Sequence, residues 1–193
     1  MNTPNLPQIR KAKKIVGKHL VFRDASPDDA SFILMLRTDP QKSKHISFTP
    51  PTLDQQVSWL EIYSTKDDQA YFIIENLSGE KLGTVRLYDA QGDDYCWGSW
   101  ILKEGAPQSA AIESALMVYS YAIDNLGFNQ AHFDVRKENE GVWRFHERFG
   151  AERVGENEHE YQYQISNKAI AEARQRYKKY LSNELVIGEI NGE

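Results

Sequence analysis

The chain has 193 residues, of which 40% are hydrophobic and 26% are charged, a composition typical of one soluble globular domain. The net charge of -5 argues against a nucleic-acid-binding protein with a broad basic face. No apolar run approaches the ~20 residues of a membrane span, and the N-terminal residues lack the apolar stretch of a secretory signal, so we expect a cytoplasmic protein with no membrane or nucleic-acid partner.

The first third of the chain predicts one strand and two helices. Residues 1–17 are interpreted as an N-terminal tail, and a strand follows over residues 18–24, where Leu20 and Phe22 alternate with more polar neighbours. Ser-Pro-Asp-Asp at residues 26–29 is typical of a helix start, and Asp39-Pro40 ends that helix. The capping-box pattern at residues 52–55 starts a second helix.

The remaining elements are read from the same local signals. Together with the first strand they make seven strands, over residues 18–24, 71–75, 81–88, 95–102, 131–136, 151–155 and 160–165. Further helices are expected after the turn at residues 105–109, over residues 139–149 and over residues 166–182. We find no internal repeat and no linker, so the chain predicts a single domain, with a loose acidic end over residues 184–193.

Residues 95–126 form the stretch around which the other elements are arranged. A buried strand leads through a turn of small residues into a helix with one apolar stripe: Ile112, Ala115, Leu116, Tyr119, Ala122, Ile123 and Leu126. The first four N–H groups of a helix have no partner inside it, and the peptide dipoles place about half a positive charge there. Such a helix start can bind phosphate. Many α/β proteins contain a similar turn that binds nothing, and the turn alone leaves both interpretations open.

Residues 139–151, NEGVWRFHERFGA, carry a more specific signal. An Asn is followed by an apolar residue three positions later and then by an apolar–Tyr–Glu–Lys/Arg–apolar–Gly run, with His146 in place of the Tyr. The matching residues are Asn139, Val142, Phe145, Glu147, Arg148 and Gly150. With the order of strands and helices, this run resembles the GNAT superfamily of acyl-CoA-dependent N-acetyltransferases, and the resemblance covers about residues 18–165.

The resemblance implies an α+β fold, a three-layer α/β arrangement with a mixed, mostly antiparallel central sheet of about seven strands flanked by helices. The family's fourth and fifth strands, here residues 95–102 and 131–136, would splay apart. The acetyltransferase domain would cover residues 18–165, and residues 166–193 would form a C-terminal helical extension with the loose end. Acetyl-CoA is the implied co-substrate.

By the same resemblance, acyl-CoA would lie in the wedge between the splayed strands. Its pantetheine arm would pair with the open edge near Trp100, Ile101 and Leu102, and Asn139 and Phe145 would contact it. The pyrophosphate would bind the helix start, at Gln108, Ser109, Ala110, Ala111 and Ile112. This loop departs from the family pattern.

Register places Ser109 and Ala111 at the positions of two family glycines, and Ala106 where a basic or amide residue is usual. Both replacements at the glycine positions are small, so phosphate can still approach the backbone. Lys103 or Gln108 could replace the missing basic side chain.

The reaction that the resemblance implies needs a base for the amine and an acid for the leaving thiolate. His146 occupies the register position of the family's Tyr, and an imidazole with a pKa near neutrality could donate the proton. The alternative is a partly buried structural histidine. Asp134 is the main candidate base; Glu104, Asp94, His132 and a water chain are alternatives.

The acceptor would be bound by the loop between the first two helices and by the mouth of the wedge. The candidate residues are Arg37, His45, Trp59, Tyr88 and Trp97. For the aromatic residues the alternative is core packing. The single Cys96 excludes an internal disulfide and a multi-cysteine metal site. It is expected to be a buried hydrophobe and not a nucleophile, so we expect direct transfer without a metal or a covalent intermediate.

Three functions are compatible with the sequence. The loop at residues 38–47 and the run FHERFGA look most like family members that acetylate the amino group of a nucleotide-linked sugar. Such an anionic acceptor would need a basic pocket, for which the sequence offers Arg37, Lys42, Lys44 and His45. The alternatives are a protein N-terminal acetyltransferase of the ribosomal-protein type and a non-catalytic acyl-CoA-binding module. A homodimer is possible in each case.

Overall fold

The computed structural model of the protein describes residues 6–181 and 184–190. In this part of the chain nine strands form one sheet: β1 Ala12–Val16, β2 Leu20–Asp24, β3 Ala70–Asn76, β4 Lys81–Gln91, β5 Asp94–Leu102, β6 Gln130–Arg136, β7 Glu152–Glu156, β8 Glu160–Ser166 and β9 Val186–Ile190. Five α-helices accompany them: α1 Ala30–Thr38, α2 Leu53–Ser64, α3 Gln108–Ser120, α4 Glu140–Phe149 and α5 Asn167–Arg176.

The sheet is mixed and mostly antiparallel, as predicted. Its strand order is β7-β8-β6-β5-β4-β3-β2-β1-β9, and β5–β6 is the one parallel pair among the described strands. All seven strands read from the sequence are present, as β2 to β8. No helix in residues 6–181 or 184–190 combines the length and apolarity needed to cross a bilayer.

The sheet separates two hydrophobic cores. Alternate residues of β3 point to opposite faces: Tyr71 and Ile73 pack with α1 and α2, whereas Phe72 and Ile74 join the larger core under α3, α4 and α5. All four of these side chains are at most 2% exposed. The result is the predicted three-layer arrangement, with helices on both faces of the sheet.

Strands β5 and β6 pair over only part of their length. Their pairing runs from Asp94–Gln130 to Cys96–His132 and stops there, so the rest of β5 bonds only to β4 on its other side. The bulge next to this point has Ser99 at a φ of 46°, and the Thr84 hydroxyl donates to the Ser99 carbonyl at 2.8 Å. The splay expected between these two strands is therefore present, and it leaves one edge of β5 open.

Helix α3 is fixed against the sheet by a buried carboxylate. Glu113 is 1% exposed, and its Oε1 accepts the N–H groups of His19 at 2.6 Å and Leu20 at 3.0 Å at the start of β2. Gly17 lies directly against this helix, because a Cβ there would come within 2.6 Å of the Met117 sulfur. These contacts fix α3 against the turn between β1 and β2 and the start of β2.

Both ends of the chain differ from the prediction. The N-terminal tail expected over residues 1–17 contains β1, in which Ala12 and Ile15 are fully buried. The loose end expected over residues 184–193 contains β9, which pairs antiparallel with β1. The helix expected over residues 166–182 ends at Arg176. Residues 1–5, 182–183 and 191–193, which complete these expectations, lie outside the described residues.

Candidate active site

A cavity of about 470 Å³ lies along the open edge of β5, and we call it the β5 groove. It brings together six of the residues predicted to bind the acyl-CoA: Trp100, Ile101, Leu102, Ala111, Asn139 and Phe145. Trp100 is fixed to α3, since its indole N–H donates to the Ser114 hydroxyl at 3.1 Å. An extended arm can bond to the free N–H and C=O groups of an open strand edge without needing a particular side chain.

The start of α3 lies at one end of this groove. No side chain caps the helix. The Ala110 N–H donates to the Pro107 carbonyl at 2.9 Å, which leaves the amides of Gln108 and Ser109 at the tip for an anion. The Ala110 amide already has a partner, and its predicted contact with the pyrophosphate stays a prediction.

The other residues predicted around this turn have different roles. Ile112 packs its side chain against the core, and the predicted contact of its backbone N–H with the pyrophosphate stays a prediction. Lys103, one expected substitute for the missing basic side chain, donates to Glu80 at 2.6 Å. Gln108 remains the other candidate to replace the basic side chain that is missing at Ala106. The uncapped turn and the open strand edge together fit an acyl-CoA.

His146 lies between the splayed strands, within an aromatic cluster. The centroid of its ring is 4.2 Å from that of Phe133, 5.3 Å from Trp97 and 5.9 Å from Trp100. The side chain is 4% exposed, and its Nδ1 has no hydrogen-bond partner among the described residues. Burial lowers the pKa of His146 to about 3. The expected pKa near neutrality is therefore wrong, because the aromatic neighbours exclude water from the imidazole.

A second cavity, of about 360 Å³, lies where β5 and β6 diverge, and we call it the wedge cavity. Asp134 lines it. Partial burial and the charge of Glu160 raise the pKa of Asp134, with a smaller opposing effect of His132. A carboxylate with a raised pKa binds a proton more readily than an ordinary aspartate. The structure thus places the main candidate base at the mouth of the wedge.

The alternative candidate bases either form hydrogen bonds with one another or lie outside the two cavities. His132 Nδ1 lies 2.8 Å from Asp94 and its Nε2 lies 3.1 Å from Asp89. Partial burial lowers the pKa of His132, but these two carboxylates outweigh that effect and raise it overall. Both ring nitrogens and the Asp94 carboxylate are therefore engaged in one cluster. Glu104 lies exposed in the turn before α3 and lines neither cavity.

A third cavity, of about 230 Å³, lies between α1, α2 and the sheet, and we call it the arginine pocket. Arg37 and Arg86 line it together with Trp59 and Phe48. Arg37 donates to the hydroxyls of Thr49 at 2.6 Å and Ser47 at 2.9 Å. The arginine pocket adjoins the wedge cavity, because Arg37, Ser47 and Ser99 line both.

The predicted acceptor residues are distributed over all three cavities. Arg37 and Trp59 line the arginine pocket, Tyr88 lines the wedge cavity, and His45 lines both the wedge cavity and the β5 groove. Trp97 also lines the wedge cavity, but it is 3% exposed and its ring packs on Tyr119 and His146, as expected of core packing.

The expected basic pocket is not assembled from the predicted residues. Lys42 lines the β5 groove and Lys44 lines none of the three cavities. Burial, with a further effect of Lys44, lowers the pKa of His45. The charge beside Arg37 comes from Arg86, which the sequence reasoning missed. The available signal was an arginine within the β-rich run at residues 81–88.

Comparison with known proteins agrees with this geometry. A sequence profile described as the acetyltransferase (GNAT) domain matches residues 19–152. A solved structure described as apo FdhC, a nucleotide-linked sugar GNAT, is 32% identical, with a TM-score of 0.77 over 90% of this chain and 99% of that chain. A GCN5-related N-acetyltransferase from Brucella melitensis is 19% identical, with a TM-score of 0.76 over 91% of this chain and 89% of that one.

A spermidine N-acetyltransferase SpeG chimera involving Vibrio cholerae is 15% identical, with a TM-score of 0.69 over 80% of this chain and 99% of that one. The last two likenesses concern the fold alone. Among curated proteins, none matches the chain significantly.

The fold and the β5 groove define an acyltransferase that takes its acyl group from a coenzyme A thioester. The chain belongs to the GNAT acetyltransferase family. It is an acyl-CoA-dependent N-acetyltransferase, and acetyl-CoA is the co-substrate that this family uses.

Proposed function

We propose that the protein transfers an acetyl group directly to the primary amine of a nucleotide-linked amino sugar. The observation that carries the proposal is the continuity of three spaces. The wedge cavity shares His45 with the β5 groove and shares Arg37 and Ser99 with the arginine pocket. A thioester arm, an amine and an anionic remainder would each have a separate place. The 32% identity to a protein described as a nucleotide-linked sugar GNAT supports the same acceptor class.

Asp134 is the proposed base. The acceptor ammonium gives one proton to its carboxylate, and the neutral nitrogen then attacks the thioester carbonyl carbon. The C–S bond breaks, the nitrogen releases its second proton to water, and the sulfur takes up one proton from water. The raised pKa of Asp134, which follows from partial burial and the neighbouring Glu160, improves the match between this carboxylate and an amine.

His146 is the proposed partner of the departing sulfur, in a form different from that expected from the sequence. With a pKa of about 3 the imidazole is neutral at neutral pH, so it carries one N–H donor and one acceptor nitrogen. It would donate a hydrogen bond to the developing thiolate and would not transfer a proton. The proton on sulfur then comes from water.

Direct transfer is supported by the state of Cys96. Burial raises the pKa of its thiol to about 11, and the thiolate is the nucleophilic form of cysteine. At neutral pH Cys96 is therefore a thiol packed within the core. It is unsuited to accept the acetyl group in a covalent intermediate.

The acceptor class is tested by a thiol-release assay with acetyl-CoA and four amines: a nucleotide-linked amino sugar, the same amino sugar without the nucleotide, a peptide with a free N-terminus, and a polyamine. We expect the highest kcat/KM with the nucleotide-linked sugar. The free sugar should be a poorer substrate, mainly through KM, because it lacks the anionic remainder.

Two results would contradict the proposal. A peptide N-terminus as the best acceptor would favour the protein N-terminal acetyltransferase alternative. Binding of acetyl-CoA with no thiol release from any amine would instead favour the acyl-CoA-binding module.

A further inference from the structure

We propose that the arginine pocket is the site for the diphosphate of the acceptor, with the nucleobase stacked outside it on Phe48. This inference rests on the proposed acceptor class and deepens it. It assigns the recognition of the non-reacting part of the acceptor to Arg86, Arg37 and Phe48.

The first argument is the charge in the pocket. Arg37 and Arg86 both line it, and no Asp or Glu is among its lining residues. Within the described part of the chain, neither guanidinium lies within salt-bridge distance of a carboxylate, although the structure contains such pairs for Arg23, Arg136, Arg144, Arg153 and Arg174. Two like charges beside one cavity with no carboxylate paired to either are unfavourable, and a bound anion would relieve this.

The second argument is the fixed position of the two cations. The Arg86 guanidinium lies over the rings of Trp59 at 5.4 Å and Tyr88 at 4.7 Å. Its Nε is buried without a hydrogen-bond partner in the described residues. Burial lowers the pKa of Arg86; Tyr88, Tyr71 and the more distant Asp68 oppose this effect, and the neighbouring Arg37 adds to it.

Arg37 is likewise held in place, since its guanidinium donates to the hydroxyls of Thr49, Ser47 and, at 3.4 Å, Ser99. Planar forks of this kind match phosphate oxygens and lose little freedom on binding. The pocket is therefore prepared for an anion before any acceptor arrives.

The third argument is the aromatic residue at the mouth. Phe48 is 85% exposed and lines the pocket, and among the described residues its ring has no aromatic partner. Trp59, by contrast, already stacks on Tyr63 at 5.9 Å with an interplanar angle of 2°. A cavity of about 230 Å³ suits a charged group better than a whole nucleotide. The base would then lie outside, against the free face of Phe48.

Calorimetric titration of the full chain tests the assignment without amine or acetyl-CoA. Uridine diphosphate and inorganic pyrophosphate are the probes. We expect both to bind the wild type, and Arg86→Gln to weaken both by about ten-fold or more, because a charge-assisted bidentate contact is lost. Phe48→Ala should weaken the binding of uridine diphosphate and leave the affinity for pyrophosphate unchanged.

Arg144→Gln is the matched control, because it removes an equal charge from an exposed pair with Glu140 on α4. Arg86→Lys keeps the charge without the planar fork, so it should bind both probes with intermediate affinity. Equal affinities in Arg86→Gln and Arg144→Gln would overturn the proposal.

Failure of the site and failure of the proposed function give different results. If nucleotide-linked amino sugars are acetylated with the same kcat/KM by wild type and Arg86→Gln, the site is wrong and the acceptor class stands. If no nucleotide-linked sugar is acetylated but Arg86→Gln still loses diphosphate binding, the site stands and the acceptor class is wrong.

Discussion

Two ionisable side chains near the splay of β5 and β6 have environments that favour different protonation states. His146 is surrounded by aromatic rings, and burial keeps it neutral with a pKa of about 3. Asp134 lies half in water beside Glu160, and its pKa is raised by partial burial and by that charge. The region of the splay therefore contains one side chain that resists protonation and another that favours it.

The buried imidazole makes the protein less stable in mild acid. The pKa of His146 is lowered from 6.5 to about 3 on folding, so its contribution is fully present above pH 6.5 and is lost as the pH falls toward 3. Since each pH unit below 6.5 corresponds to about 1.4 kcal/mol, the loss at pH 5 is about 2 kcal/mol. Between pH 8 and pH 5, the free energy of unfolding of His146→Phe should therefore fall by about 2 kcal/mol less than that of the wild type, as measured by urea denaturation.

The control for this prediction is His159→Gln, because His159 is an exposed histidine in the turn before β8. It should follow the wild-type pH dependence. If His146→Phe also followed it, the imidazole would not be held neutral in the folded state.

The proposed base predicts a pH profile that a neighbour can shift. Asp134→Asn should lower kcat by about 10²-fold. In the wild type, kcat/KM should fall as the pH falls through the raised pKa of Asp134. Glu160→Gln removes a charge that raises this pKa, so the acidic limb should move to lower pH while the plateau is kept.

Glu156→Gln makes the same change in charge at an exposed pair with Lys137, and it should leave the profile in place. If the acidic limb instead reflects titration of the acceptor amine, it will lie at the same pH in the wild type, Glu160→Gln and Glu156→Gln. That result would contradict the assignment of Asp134.

At the level of elements, the sheet is completed by two strands from opposite ends of the chain. In β9, Ile187 packs against the larger core, whereas Val186 is 67% exposed. Ile187→Asp should destabilise the protein by about 2 kcal/mol, because it places an unpaired charge against the core, and Val186→Asp should change the free energy of unfolding by about 0.5 kcal/mol or less. Urea unfolding at pH 7 measures both.

Equal effects of these two substitutions would mean that β9 does not pack in this register. A one-residue slip would exchange the two faces of the strand, and Val186→Asp would then be the more damaging change.

The elements read correctly from the sequence are those with local signals. Strands β2 to β8 have β-rich runs bounded by turn residues, and α4 ends at Gly150, whose φ of 100° is the left-handed conformation expected of a helix cap. Strand β1 was missed because Lys13 and Lys14 make its run look solvated. Strand β9 was missed because its partner lies about 170 positions earlier in the chain, and local patterning does not report such pairing.

The whole site is harder to predict than any of its elements. The β5 groove follows from one turn and one helix motif, which together locate Trp100, Asn139 and Phe145. The arginine pocket combines α1, α2, their connecting loop and the sheet, so no single motif contains it. Arg86 was missed because a charged residue within a strand is normally assigned to solvent. Its position over Trp59 depends on how α2 packs on the sheet.

The two cores share one sheet, so we expect the molecule to unfold in a single transition that a bound ligand shifts as a whole. Coenzyme A at 100 times its Kd adds about 2.7 kcal/mol of stability, which corresponds to a rise in Tm of about 5–10 °C for a chain of this size. Ser109→Glu places a carboxylate at the uncapped start of α3. It should leave the Tm of the free protein unchanged or slightly higher, since an anion there is favourable to the helix dipole.

The same carboxylate would repel the diphosphate, so the shift with coenzyme A should largely disappear in Ser109→Glu while the smaller shift with pantetheine is kept. Ser31→Glu is the matched control, because Ser31 is an exposed residue at the second position of α1, as Ser109 is at the second position of α3. Differential scanning fluorimetry measures all three proteins. If Ser109→Glu and Ser31→Glu respond equally to coenzyme A, the diphosphate does not lie at the start of α3.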